Sequence, residues 1–220
     1  MITFSWITLL GVIISDDLKW HKNTNYITKK ANKKMRMLHI AAKFTKNREH
    51  LKHIYKTFIR SNLEFSSTVW HSSLSVADRQ DLERVQKAAV KVILGREYQS
   101  YEEALCELNL ESLNDRREAM ALKFAKKSLE NSNFSKLFPL REVKHGMKTR
   151  KSDKYVVNSS KTKRKKESAV PYLQNLLNKD HFEKSQSIKR LLEDSQNSAK
   201  RSKIESRKWV NYISHVDVIT

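Results

Sequence analysis

Ile27-Thr28-Lys29-Lys30-Ala31-Asn32-Lys33-Lys34-Met35-Arg36-Met37-Leu38-His39-Ile40-Ala41-Ala42 decides how the chain is read. Ile27, Ala31, Met35, Leu38 and Ala42 recur at spacings of four and three, which is one face of an α-helix. Lys29, Lys30, Lys33, Lys34 and Arg36 mostly fall on the other side. The stretch therefore predicts a helix with one face for a core and one face of positive charge. A fold built on such helices is mainly α.

The flanking sequence repeats the pattern. Asn47 is placed to cap a second helix with Leu51, Ile54, Tyr55 and Phe58 on its apolar stripe. Ser75 and Asp78 open a run that buries Leu82, Val85, Ala89, Val92 and Ile93, and Gly95 is placed to stop it. Ser100 with Glu103 starts a short helix over Tyr101–Glu107. Ser112 and Asp115 introduce a last strong helix with Met120, Phe124 and Ala125 facing inward. Trp70, on an apolar stripe, is expected in the core. The centre of the chain reads as a bundle of about five helices.

With 3 Gly and 2 Pro in 220 residues, turn-dense all-β and Gly-rich linker architectures are excluded. The single Cys106 excludes a disulfide framework and a cysteine zinc cluster, and points to an intracellular setting. Flanked by Leu105 and Leu108, it is expected to be a buried small hydrophobe. The apolar start carries Ile7, Leu9, Leu10, Val12, Ile13 and Ile14 and reads as a strand buried on both faces. It is too short to span a bilayer and lacks the basic leader and cleavage site of a secretory signal.

Charge is the second strong signal. The formal net charge is +20, which implies an anionic partner, most often nucleic acid. Residues 21–60 carry 12 basic residues against one acidic, and residues 141–166 carry 11 against two. The interval 61–140 is nearly neutral, with 11 against 12. A neutral centre predicts packing, and the two basic blocks predict contact surfaces. Ordinary solvated faces mix signs, so the first block favours phosphate contact. Its candidate ligands are Lys29, Lys30, Lys33, Lys34, Arg36, Lys43 and Lys46. The second block ends in Lys163-Arg164-Lys165-Lys166, whose short basic run also fits a nuclear-import signal.

The order of elements expected is a strand and turn at 1–20, a helical domain at 21–131, a basic, mobile connector at 132–166, and a docking segment with a polar tail at 167–220. Within the last part, Val170, Tyr172, Leu173, Leu176 and Leu177 form a cluster able to dock back. A further helix is expected around Ile188 to Glu193, and Trp209, Tyr212 and Ile213 are available to dock.

Several short motifs in one order resemble a known family. They are Leu10-Gly11-Val12-Ile13-Ile14-Ser15-Asp16-Asp17-Leu18-Lys19-Trp20, Ile54-Tyr55-Lys56-Thr57-Phe58-Ile59-Arg60 with Leu63-Glu64-Phe65, and Val69-Trp70. Leu82-Glu83-Arg84-Val85-Gln86-Lys87-Ala88 follows, running to Ile93-Leu94-Gly95, then Tyr101-Glu102-Glu103-Ala104-Leu105. Leu110-Glu111-Ser112-Leu113 with Arg116-Arg117-Glu118, and Ser168-Ala169-Val170-Pro171-Tyr172 before Leu176-Leu177-Asn178, complete the set. Over Leu9 to Asn178 this resembles the region after the catalytic palm of non-LTR retrotransposon reverse transcriptases of the jockey-like, LINE type. The resemblance implies a palm-edge strand, a helical thumb-like domain beside a primer–template duplex, and RNA-directed DNA polymerase as the parent activity.

The resemblance also implies what is missing. The family's catalytic aspartates belong upstream of Leu10, and the family's common His after the Trp is Asn23 here. Asp16-Asp17 sits in the later palm-edge turn, and two-metal phosphoryl transfer needs carboxylates from separate strands. The chain is thus expected to be a truncated, non-catalytic fragment with no cofactor and no metal. His50 and His53 lie one turn apart with no third ligand evident. Arg116 and Arg117 are expected to pair with Glu111 or Asp115, with a clamp on a backbone phosphate as the alternative. The alternative partner for the Ile27–Ala42 helix is an acidic protein or an anionic membrane, engaged through its amphipathic character.

Overall fold

The computed structural model describes residues 5–140, 154–157, 161–187 and 190. The chain starts in a β-hairpin, β1 (Trp6–Leu9) and β2 (Val12–Ser15), paired antiparallel with Leu9 opposite Val12. Its two-residue turn is Leu10-Gly11, with φ of 47° and 81°. Positive φ at both central residues is the turn whose twist suits a hairpin, and only the second position has the residue made for it. This corrects the expectation of one strand buried on both faces. All four residues of β1 are exposed, and Leu10 is 89% exposed at the turn. Only β2 packs inward: Val12 and Ser15 are buried, and the Ile13 N–H donates to Asn23 Oδ1 at 3.1 Å.

α1 (His21–Phe44) follows, 24 residues long. Asn23, Thr24, Ile27, Ala31, Met35 and Leu38 are its buried face. α2 (Arg48–Ile54) starts at Asn47, whose side chain accepts from the His50 N–H as expected. It runs on through a π-helical turn, Tyr55–Arg60, into α3 (Ser61–Leu63). The wide turn moves the stripe: Leu51, Tyr55, Ile59 and Leu63 are buried, at strict spacings of four, and Phe58 is left exposed. α4 (Ser67–Trp70) leads through a 3-10 turn, His71–Ser73, to α5 (Val76–Leu94).

α5 is the axis of the bundle. Ser75 caps it by accepting from the Asp78 N–H, and Gly95 ends it at φ 59°. His21 Nδ1 and Asp78 Oδ1 are 3.0 Å apart, tying the start of α1 to the start of α5. At the other end Ala42, Thr45 and Lys46 face Val92 to Glu97 across a shallow groove, so the two helices run side by side in one direction. α6 (Tyr101–Glu107) has the predicted bounds and the predicted Ser100 cap. Cys106 on it is exposed, because Ala104 and Leu108 take the inward positions.

A buried polar chain fastens these helices. Tyr55 OH donates to Gln86 Oε1, and Gln86 Nε2 donates to Tyr101 OH at 2.8 Å and to the Glu111 carbonyl at 2.9 Å. Tyr101 OH in turn donates to Glu83 Oε1. Gln86 is fully buried, and each of its side-chain atoms has a partner, which is the condition for a polar group to sit there. Trp70 is also fully buried, as expected, with its indole N–H donated to the Phe65 carbonyl at 3.0 Å.

α7 (Leu113–Glu130), capped by Ser112, joins two apolar clusters. Leu113 belongs to the main core with α1 and α5, while Ala121 and Ala125 belong to a second core. Ala125 is buried as expected, but Phe124 is 45% exposed and Met120 half-buried, and the inward face runs instead through Arg117, Ala121, Ala125 and Ser128. The second core is completed by Phe138, Tyr155, Leu173, Leu176 and Leu177. The segment expected to dock back does so, as a helix over 169–187. It reaches further than the apolar pattern indicated because ion pairs extend its hold: Lys126–Asp180 at 2.8 Å and Lys179–Glu118 at 3.3 Å.

Two short helices lie in the interval read as a connector, α8 (Ser132–Ser135) and α9 (Lys163–Lys166). That interval also supplies Phe138 and Tyr155 to the second core, and Leu140 bridges Tyr155. Nearly all of the expected Ile188–Glu193 helix, Trp209, Tyr212, Ile213 and residues 141–153 of the second basic block lie outside the described residues.

Candidate nucleic-acid interface

α1 sorts its residues as its sequence requires. With the Ile27-to-Leu38 face committed to the core, Lys29, Lys30, Lys33, Arg36 and Lys43 are left exposed on the solvent side. Lys46 is exposed just past the helix end. At 1.5 Å per residue the cations from Lys29 to Lys43 span about 21 Å of the helix. Among the described residues none of these six side chains forms an ion pair. Lys34 is different: it is half-buried and reaches Asn62 Oδ1 at 3.4 Å, so it helps to seat α1 on α3.

Some cations elsewhere are paired, while others, such as Lys87, Lys91, Lys123 and Lys127, form no ion pair among the described residues. Arg48 bridges Glu97 and Glu107, Arg116 holds Glu64 at 2.5 Å, and Lys126 holds Asp180. Arg116 also reaches Glu111 at 3.5 Å, one of the partners expected for it. The α1 face has no acid to pair with nearby in sequence: residues 21–60 contain a single acid, Glu49, and that acid is held by Lys52 on α2. Unpaired, exposed and in line, these cations can each neutralise a phosphate and release its condensed counterion.

The second block is built differently. Lys163, Arg164, Lys165 and Lys166 form α9, capped by Thr162, and all four are exposed. Lys163 is 3.8 Å from Glu167, and the Glu167 carbonyl accepts from Ser73 Oγ at 2.7 Å. The block is thus tethered beside the α4–α5 junction. No hydrogen bond or ion pair joins it to α1 among the described residues.

The structure also shows what a reading for charge alone passes over. Tyr26, Met37 and Ile40 are 45%, 45% and 46% exposed, and Phe44 is 85% exposed. With Lys30 and Lys33 they follow spacings of four and three along the solvent side of α1. Lys30 Nζ lies 5.9 Å from the Tyr26 ring centre, and Tyr26, Lys29, Lys30, Asn32 and Lys33 line one open groove. The second periodicity is present in the sequence, rotated from the first.

The acidic pair is a turn. Asp17 accepts from Ser15 Oγ at 2.7 Å and from the Lys19 N–H at 3.0 Å. These bonds hold its carboxyl down to about 2. Asp16 accepts from the Asp17 N–H. Among the described residues no three His, Cys, Asp or Glu side chains gather as a metal-ligand set. No helix there is long and apolar enough to cross a membrane.

One buried group has no place in the interface. Arg117 was expected to find an acid, but it is fully buried with Nε, Nη1 and Nη2 all without hydrogen-bond partners, 5.8 Å over the Trp70 ring. Burial pushes its guanidinium down to about 10, still charged at neutral pH. His71 beside it is held down to about 3, first by burial and then by Arg117 and Arg79.

Compared with models of known families, with curated proteins and with solved structures, the chain matches none.

Proposed function

We propose that this chain is a non-catalytic helical domain that binds nucleic acid through its phosphates, derived from the region after the palm of a non-LTR retroelement reverse transcriptase. The observation that carries the binding is the row Lys29, Lys30, Lys33, Arg36 and Lys43, exposed on the solvent side of α1 and without ion pairs among the described residues, in a stretch, 21–60, that holds one acid against 12 basic residues. The ordered motifs from Leu10 to Asn178 support the descent. Nuclear import through Lys163–Lys166 fits the same reading, since that run is exposed.

The alternative, an amphipathic helix docking its apolar face on a membrane or an acidic protein, loses its main surface. Ile27, Ala31, Met35 and Leu38 are consumed by the core.

The test is equilibrium binding of the purified chain to single-stranded RNA, single-stranded DNA and an RNA–DNA hybrid across salt concentrations. Five phosphate contacts predict a log–log salt slope of about −3.5 on single strands and about −4.5 on duplex. Sequence preference should be small, because phosphate contacts carry no base information. Absence of binding at low salt to all three probes overturns the proposal.

A further inference from the structure

We infer that the α1 face takes single-stranded nucleic acid, with unpaired bases stacking along the exposed ridge from Tyr26 to Phe44 while the flanking lysines hold the backbone. This rests on reading α1 as the nucleic-acid interface and adds which form of nucleic acid fits it. Phosphate binding alone needs only cations. It gives no reason for Tyr26, Met37, Ile40 and Phe44 to stand on the solvent side of a helix whose core face is already complete. Exposed rings set among lysines on one surface are what single strands require: every base has a π-face, and the cations track the backbone. A duplex hides those faces. The Tyr26 groove carries the parts at the scale of one nucleotide, a ring beside Lys29, Lys30 and Lys33, with Asn32 as a hydrogen-bonding group. From Tyr26 to Phe44 the ridge is about 27 Å long, enough for several nucleotides.

Two other occupants fit less well. A second copy packed along the same ridge would set Lys30 and Lys33 against like charges if parallel, and would bury them unpaired against Ile40 and Met37 if antiparallel. A bilayer prefers its apolar and basic residues on separate faces, and here Lys30 and Lys33 stand on the same face as Tyr26, Met37, Ile40 and Phe44.

The experiment compares a single-stranded oligonucleotide containing 2-aminopurine with a duplex of equal length, on wild type, Tyr26→Ala, Tyr26→Phe, Phe44→Ala and Lys29→Gln/Lys33→Gln. Both aromatic rings are exposed, so circular dichroism of these variants should match wild type. Stacking predicts quenching of 2-aminopurine, about tenfold weaker single-strand binding in Tyr26→Ala and in Phe44→Ala, and wild-type behaviour in Tyr26→Phe. Duplex binding should stay within about twofold in all three. If Lys29→Gln/Lys33→Gln weakens both probes while the aromatic variants change neither, stacking is overturned and phosphate binding stands. If wild type binds neither probe, or binds only vesicles rich in anionic lipid, both readings are overturned.

Discussion

Arg117 and His71 show what single residues contribute. A guanidinium with no partner in the interior is a cost that the surrounding packing must offset. Replacing it by an apolar side chain of similar length removes the charge and keeps the contact with Trp70. Arg117→Met should therefore leave stability unchanged or raise it, by up to about 4 kcal/mol in urea unfolding. A loss of about 3 kcal/mol or more would show that the guanidinium has partners that the geometry does not reveal. His71 couples the same region to pH. Its folded pKa lies near 3, below the ordinary value near 6.5, so the unfolded chain takes up a proton that the folded chain refuses. That stability is whole above about pH 6.5 and is lost as pH falls toward about 3. His71→Phe keeps the edge-on contact with Tyr172 and should flatten this part of the profile, measured by unfolding midpoints from pH 7 to pH 4. An unchanged profile would place the proton elsewhere. Neither residue was readable in advance: Arg117 looked like a surface ion-pair former, and its burial depends on which face of α7 the second core covers.

At the scale of elements, the polar caps were the most legible features. Asn47, Ser75, Ser100 and Ser112 each start the helix expected of them, because a cap is a local bond between neighbours in sequence. Ser75→Ala should cost about 1 kcal/mol and lower amide protection at the first turn of α5, read by hydrogen exchange. An unaltered first turn would mean that the His21–Asp78 contact fixes it without the cap. Features set by tertiary context were harder to see. The π-turn after α2 exchanged Phe58 for Ile59 in the core, and an unbroken apolar run hid the hairpin turn at Leu10-Gly11. Phe124 and Cys106 came out exposed because small residues, Ala125 and Ala104, allow close helix approach at the inward positions. The α1 face was half legible. Its charge was plain, but the ridge of Tyr26, Met37, Ile40 and Phe44 was masked by the stronger core period on the same helix.

For the whole molecule, two apolar clusters share α7 as a common wall. The second is held by the helix over 169–187, so loosening it should spare the first. Leu173→Ala should cost about 2–5 kcal/mol and raise hydrogen exchange in 169–187 and the later turns of α7, with α1 and α5 still protected. Uniform loss of protection would show one cooperative unit instead. The division matters for function, because it leaves α1 on the main core as a rigid support for its cations. On the proposal above, α1 is the nucleic-acid interface. The most direct test of that proposal is the salt slope of single-strand binding for wild type against Lys29→Gln/Lys33→Gln/Arg36→Gln. Removal of three phosphate contacts should make the slope shallower by about 2. The same slope in both proteins would rule out α1 as the phosphate-binding face.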